Sequence, residues 1–170
     1  LGKSYSHQML HGSEAASWSD ENNPANVAWR SIGQSVLRHS DTMCFLESTG
    51  KGRDPFFYQK CMRTLRPSYR GNWRVVFLPW YYHEEYYEEA GGSFARTSEE
   101  KDLADQVEDT NGWKVTDEQF QWRRMQIEDE CEGEVADFRR YYPSFLHECF
   151  EQHERKFFGR GIIEHYRRTV

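Results

Sequence analysis

The 170 residues suffice for one domain or two small ones. Aliphatic residues are scarce, but 6 Trp, 10 Tyr and 11 Phe can build a core, which excludes disorder by composition. No run approaches the roughly 18 apolar residues of a membrane span, and Leu1-Gly2-Lys3-Ser4 opens nothing like a signal peptide, so no membrane partner is expected.

Cys44, Cys61, Cys131 and Cys149 include no C-x-x-C pair, which predicts ordinary reduced thiols in an intracellular protein. Cys149 and His153 would share a helix face as a zinc pair, but no second ligand pair stands nearby. The net charge of −6 is partitioned. Residues 51–74 hold seven Lys or Arg against Asp54 alone, whereas residues 84–134 hold seventeen Asp or Glu against five Lys or Arg. A basic stretch of this kind is a place to grip a polyanion or simply a solvated face, and the acidic half should not touch DNA.

In chain order, residues 6–12 read as a short strand ending at Ser13-Glu14. Asn23-Pro24 is a helix start, and Trp29, Ile32, Gly33 and Val36 predict an amphipathic helix over 24–39. Thr42 to Leu46 reads as a second strand. Ser48 to Asp54 is a Gly-rich loop, and Pro55 opens a helix with Phe57, Cys61, Thr64 and Leu65 on one face. Trp73 to Leu78 reads as a third strand, closed by Pro79-Trp80. This β-α-β-α-β alternation implies parallel strands with helical crossovers.

Beyond Trp80 the pattern turns helical and acidic. Thr97-Ser98-Glu99-Glu100 and Thr116-Asp117-Glu118-Gln119 have capping-box form. They predict helices near 98–109, with Leu103 and Val107 inward, and near 117–130, with Phe120, Met125 and Ile127 apolar; Asn111-Gly112 makes the turn between them. Shorter helices are expected at 134–141 and about 144–152. The aromatic block Trp80-Tyr81-Tyr82 with Tyr86-Tyr87 suits a core and interface better than base stacking. Arg124 with Glu128 four residues on suggests a helix-surface ion pair, and phosphate or subunit contacts are the other reading of Arg123 and Arg124.

Both early strands end abruptly in polar residues: Met9-Leu10-His11-Gly12-Ser13-Glu14 and Met43-Cys44-Phe45-Leu46-Glu47-Ser48-Thr49. A buried parallel strand that delivers hydroxyls and carboxylates at its C-terminal end is typical of a nucleotide-hydrolysing α/β core. The plainer alternatives are that Ser13-Glu14 caps the next turn and that Ser48 and Thr49 satisfy loop backbone groups. Gly2-Lys3-Ser4 matches only the tail of a phosphate-binding loop, without the upstream glycine or a preceding strand. His83-Glu84 begins a zinc-protease motif that fails at Tyr87.

The series L-H-G-S-E-A-A (10–16), F-L-E-S-T-G-K-G (45–52), F-L-P-W (77–80), Q-W-R-R (121–124) and Y-P-S-F-L-H-E-C-F (142–150) resembles the large terminase subunit of tailed bacteriophages, in order and over nearly the whole length. The resemblance implies the C-terminal part of a RecA-like P-loop ATPase parallel sheet over 1–80, followed by a mostly helical subdomain over 81–170. It implies a chain that begins just before the Walker B strand, with the phosphate-binding loop upstream of Leu1 and nuclease carboxylates downstream of Val170. Alone, such a piece is expected to show negligible ATPase activity.

By the same resemblance, Glu14 would be the Walker B glutamate that activates water. Ser13 would stand where an Asp commonly contacts Mg2+, a departure that weakens metal contact because a hydroxyl is neutral. Glu47, Ser48 and Thr49 would form the coupling motif that senses the γ-phosphate of ATP. Double-stranded DNA, the portal protein, the small terminase subunit and further copies of the chain would be partners, in the host cytoplasm. Another RecA-like motor such as a helicase, or a non-catalytic interaction remnant, are the alternatives.

Overall fold

Two short strands and the turn that follows each of them set the geometry of the N-terminal part. A computed structural model describes residues 7–18, 25–36, 39–53 and 56–151. In chain order these form β1 (Met9–Gly12), α1 (Ala25–Gly33), β2 (Met43–Leu46), α2 (Phe57–Thr64), α3 (Ser98–Asn111), α4 (Asp117–Asp129) and α5 (Val135–Tyr141). Single 3-10 turns lie at Ala15–Ser17, Trp80–Tyr82 and Glu148–Phe150. The protein is thus mixed helix and strand.

β1 and β2 pair in parallel, with Met9 opposite Met43 and Gly12 opposite Leu46. The connection through α1 supplies the crossover that a parallel pair needs. An isolated parallel bridge joins His7, just upstream of β1, to Val36, just beyond α1. One face of the sheet is covered: Ala15, Ala25 and Phe56 form a buried cluster with Trp18, Trp29, Leu46 and Phe57 against it. Gly12 is required there, because a Cβ would run into the Trp18 ring and Leu46. Trp18 stacks on Phe56 at 5.8 Å and donates its Nε1–H to the Ser13 carbonyl at 2.8 Å, which pins the strand end.

Several local expectations change. The strands are not buried on both faces, since Met9, Met43 and Phe45 are exposed on the side away from the cluster. α1 stops at Gly33, and Val36 joins the bridge to His7 instead of the helix face. The third strand is absent: residues 73–79 keep an inward–outward alternation but form no ladder, among the described residues. Trp73, at its start, is drawn instead into an edge contact with Trp29 at 5.7 Å. Leu65 leaves the predicted apolar face of α2 and is exposed, whereas Cys61 is buried. Asn23-Pro24, Pro55 and the Cys149–His153 pairing fall wholly or partly outside the described residues.

The second part is organised around Trp80. Both capping boxes form: Thr97 accepts from Glu100 N–H and Thr116 from Gln119 N–H, with each N3 side chain returning a bond to the cap. Gly112 ends α3 at φ 66°, the left-handed turn that its lack of a side chain permits. Trp80, Tyr81, Val107, Val115, Phe120, Trp122, Cys131 and Phe138 build one buried cluster. Trp80 stacks on Trp122 at 5.8 Å, and Tyr86 stacks on the same ring at 4.2 Å.

Among the described residues Arg123 Nε is the one buried side-chain polar atom without a hydrogen-bond partner, and the other polar groups of this core are answered. Trp80 Nε1–H donates to Ser144 Oγ at 3.0 Å, Tyr81 O–H to the Ser144 carbonyl at 3.1 Å, and Gln119 Nε2–H to the Tyr81 carbonyl at 2.8 Å. The Glu148 carboxylate accepts from Ser144 and Phe145 N–H and so closes the 144–150 turn. That segment is a 3-10 turn at Glu148–Phe150 in place of the expected helix over 144–152. Met125 faces out, and Ile127 packs on the cluster. Arg124 pairs with Glu100 of α3 at 2.6 Å rather than along its own helix with Glu128.

Candidate functional site

The polar residues that end β1 and β2 are brought together because the pairing continues one step past each strand. Glu47 N–H donates to the Gly12 carbonyl at 2.9 Å, and Ala15 N–H donates to the Glu47 carbonyl at 3.0 Å. Two loops distant in sequence are thereby held edge to edge, with Glu14 on one and Ser48-Thr49 on the other.

Glu14 has φ 52° and ψ 44°, the left-handed region that a side chain disfavours. It sits at the cap of the Ala15–Ser17 turn, yet its carboxylate makes no capping hydrogen bond. The carboxylate instead lies exposed and receives the Thr49 hydroxyl at 3.4 Å. Ser48 Oγ lies 3.5 Å from the same oxygen, but its single hydrogen is committed to the Thr49 carbonyl at 2.8 Å. Ser48 Oγ also accepts from Ala16 N–H at 3.2 Å, so this hydroxyl ties the β2 loop to the turn beyond Glu14.

Ser13 is exposed beside Glu14, and its carbonyl is engaged by Trp18. The Glu47 side chain departs from the group: it turns toward His11 at 3.6 Å, and Glu47 contributes to the rim through its carbonyl. Lys51, to which the motif pattern gives no role of its own, belongs to the rim as well. Its Nζ donates to Ser17 Oγ at 2.6 Å. Lys51 lies within the Gly-rich loop Ser48 to Asp54, and its spacing in the sequence does not mark the contact with Ser17.

Gly50 lies against the backbone of Cys149, whose carbonyl a Cβ at Gly50 would overlap. The loop after β2 therefore touches the last turn of the helical part. Tyr58 of α2 meets Phe150 edge-on at 5.0 Å beside that contact.

Among the described residues no group of three or more His, Cys, Asp or Glu could hold a metal ion. The exposed Glu14 carboxylate and Ser13 hydroxyl offer two neighbouring oxygens, too few to hold Mg2+ without ligands from elsewhere. His83 of the His83-Glu84 pair stacks on Tyr86 at 4.2 Å, which serves packing. Gly2-Lys3-Ser4 lies outside the described residues. No family model, curated protein or solved structure matches the chain.

Proposed function

We propose that this chain is the central part of a bacteriophage terminase large subunit, the ATP-driven motor that moves double-stranded DNA through a portal into a procapsid. The observation that carries the reading is the meeting of Glu14 with Thr49 and Ser48 across the ends of two parallel strands. The β-α-β crossover and the polar strand ends suit one segment of a RecA-like sheet.

In this reading the Glu14 carboxylate accepts a proton from the water that attacks the γ-phosphate. Thr49 donates to that carboxylate, and its hydroxyl would exchange between Glu14 and a phosphate oxygen when nucleotide is bound. Ser48 carries the change to Ala16, and Gly50 carries it to Cys149, so the loop can pass a hydrolysis event to the helical part. Lys51 adds a cation to the same rim. Mg2+ bound with ATP would neutralise charge on the phosphates, and Ser13 is the residue that would meet it or its water shell. The portal protein, the small terminase subunit and further copies of the motor chain complete the assembly.

The test is Glu14→Gln in the intact packaging protein. ATP binding is expected to survive while hydrolysis falls by about a hundredfold or more, the contribution of a general base. Undiminished hydrolysis, or source DNA with no phosphate-binding loop in frame upstream, would overturn the motor reading and favour an interaction remnant.

A further inference from the structure

Arginine is used in two opposite ways. In the helical part, Arg96 pairs with Asp117, Arg123 with Glu99, Arg124 with Glu100, and Arg139 with Glu99 and Glu148. Between 63 and 74, Arg63, Arg66, Arg70 and Arg74 are all exposed, and none is ion-paired among the described residues.

Arg70 and Arg74 share one local device. Arg70 Nη1 donates to the Pro67 and Tyr69 carbonyls at 2.8 and 3.0 Å, and Arg74 Nη1 donates to the Gly71 and Trp73 carbonyls at 3.2 and 2.8 Å. Each guanidinium is held by the carbonyls one and three residues before it. These carbonyls position the cation without neutralising it and leave Nε and Nη2 for an outside acceptor. The segment is itself anchored: Lys60 Nζ sits 4.0 Å from the Trp73 ring and 4.6 Å from the Trp29 ring, joining it to α2 and α1. A fixed fork with full charge suits a phosphate oxygen pair.

We propose that Arg63, Arg66, Arg70 and Arg74 form a contact surface for the phosphate backbone of a nucleic-acid duplex. Single strands are held mainly by exposed aromatic platforms, and here Tyr69 and Trp73 are half-buried, with Tyr69 Oη accepting from Trp73 N–H at 3.3 Å. Lipid surfaces are met by amphipathic helices with an open apolar face; α2, which carries Arg63, buries Cys61 and packs Phe57 on the Phe56 cluster, and residues 65–79 contain no helix. The choice of duplex DNA rests in part on the motor reading; the unpaired, positioned guanidiniums do not.

The experiment is fluorescence anisotropy of the 170-residue chain with a short labelled duplex across a salt series. Arg70→Gln/Arg74→Gln should weaken binding and make the log K against log salt slope shallower by about 2, near 0.9 for each phosphate that is no longer neutralised. Arg63→Gln/Arg66→Gln, which releases no backbone carbonyl, should do the same with an unchanged melting temperature. Lys101→Gln/Lys114→Gln removes equal charge from the acidic part and should leave binding intact. Equal weakening in that control, absence of duplex binding at low salt, tighter binding to a single strand, or binding only to anionic vesicles would each overturn the proposal. Loss of hydrolysis at Glu14 is scored separately, so either reading can fail while the other stands.

Discussion

The Thr49 hydroxyl meets the Glu14 carboxylate at 3.4 Å, and this long, exposed bond joins the two loops that end the parallel strands. A bond of that length between solvated groups contributes little to folding, so Thr49→Val should change stability by less than about 0.5 kcal/mol. On the proposed motor reading its effect falls on coupling instead. In the intact protein the amount of DNA packaged per ATP consumed should fall more than the hydrolysis rate does. Measuring both quantities on one preparation checks this, and a parallel fall in the two would assign Thr49 to chemistry rather than coupling.

Glu14 occupies a backbone region that costs an L-residue about 1–2 kcal/mol, while glycine enters it freely at the expense of a more mobile unfolded chain. The net expectation for Glu14→Gly is a gain of about 0.5 kcal/mol in urea unfolding. Hydrolysis in the intact motor should be lost in the same variant. Stability gained as activity disappears is the mark of strain kept for function. A clear loss of stability would show that the Glu14 side chain supports the fold instead.

Gly50 has no room for a methyl group, because the Cys149 carbonyl stands where the Cβ would be. Gly50→Ala must therefore push the β2 loop away from the last turn of the helical part. Overpacking of this kind typically costs about 1–3 kcal/mol. Chemical denaturation should register that loss, and amide exchange should rise first in the backbone around Cys149. An alanine variant as stable as the parent would mean that the two parts separate freely, and would remove the route assigned to coupling.

Much of this arrangement was legible in the sequence because its causes are local. The capping boxes at Thr97 and Thr116, the Asn111-Gly112 turn and the polar strand ends each follow from a few adjacent residues. The failures have tertiary causes. Trp73 to Leu78 has the alternation of a strand, but pairing needs a neighbour, and β2 pairs only with β1 among the described residues. Arg124 had a suitable acid four residues along its own helix, yet the buried Glu100 of α3 binds it. Lys51 entered the site through Ser17, a contact across two loops that spacing does not reveal. At the site, the types Glu, Ser and Thr were readable; the departure of the Glu47 side chain toward His11 was not.

Glu100 offers a test by pH. Its carboxylate, 2% exposed, accepts from Arg124 Nε and Nη2 at 2.7 and 2.6 Å and from Thr97 N–H at 2.8 Å. Burial on its own would raise its pKa, but the Arg124 fork and the Thr97 N–H outweigh burial and hold the group below the usual carboxylate range. A carboxylate with a folded pKa below its unfolded one stabilises the fold above the unfolded value, about 4.3, and loses that contribution as pH falls through the folded value. The melting temperature should therefore drop as pH is lowered below about 4, with a share of the drop due to Glu100. Glu100→Gln removes the charge at every pH and should cost about 2 kcal/mol near neutrality, since hydrogen bonds to a charged group are broken or weakened and Arg124 remains partly solvated. The difference in melting temperature between parent and variant should shrink as the solution is acidified. A difference that stays constant down to the acid transition would show that the Glu100 carboxyl titrates alike in the folded and unfolded chain, and that the Arg124 fork does not favour its charged form.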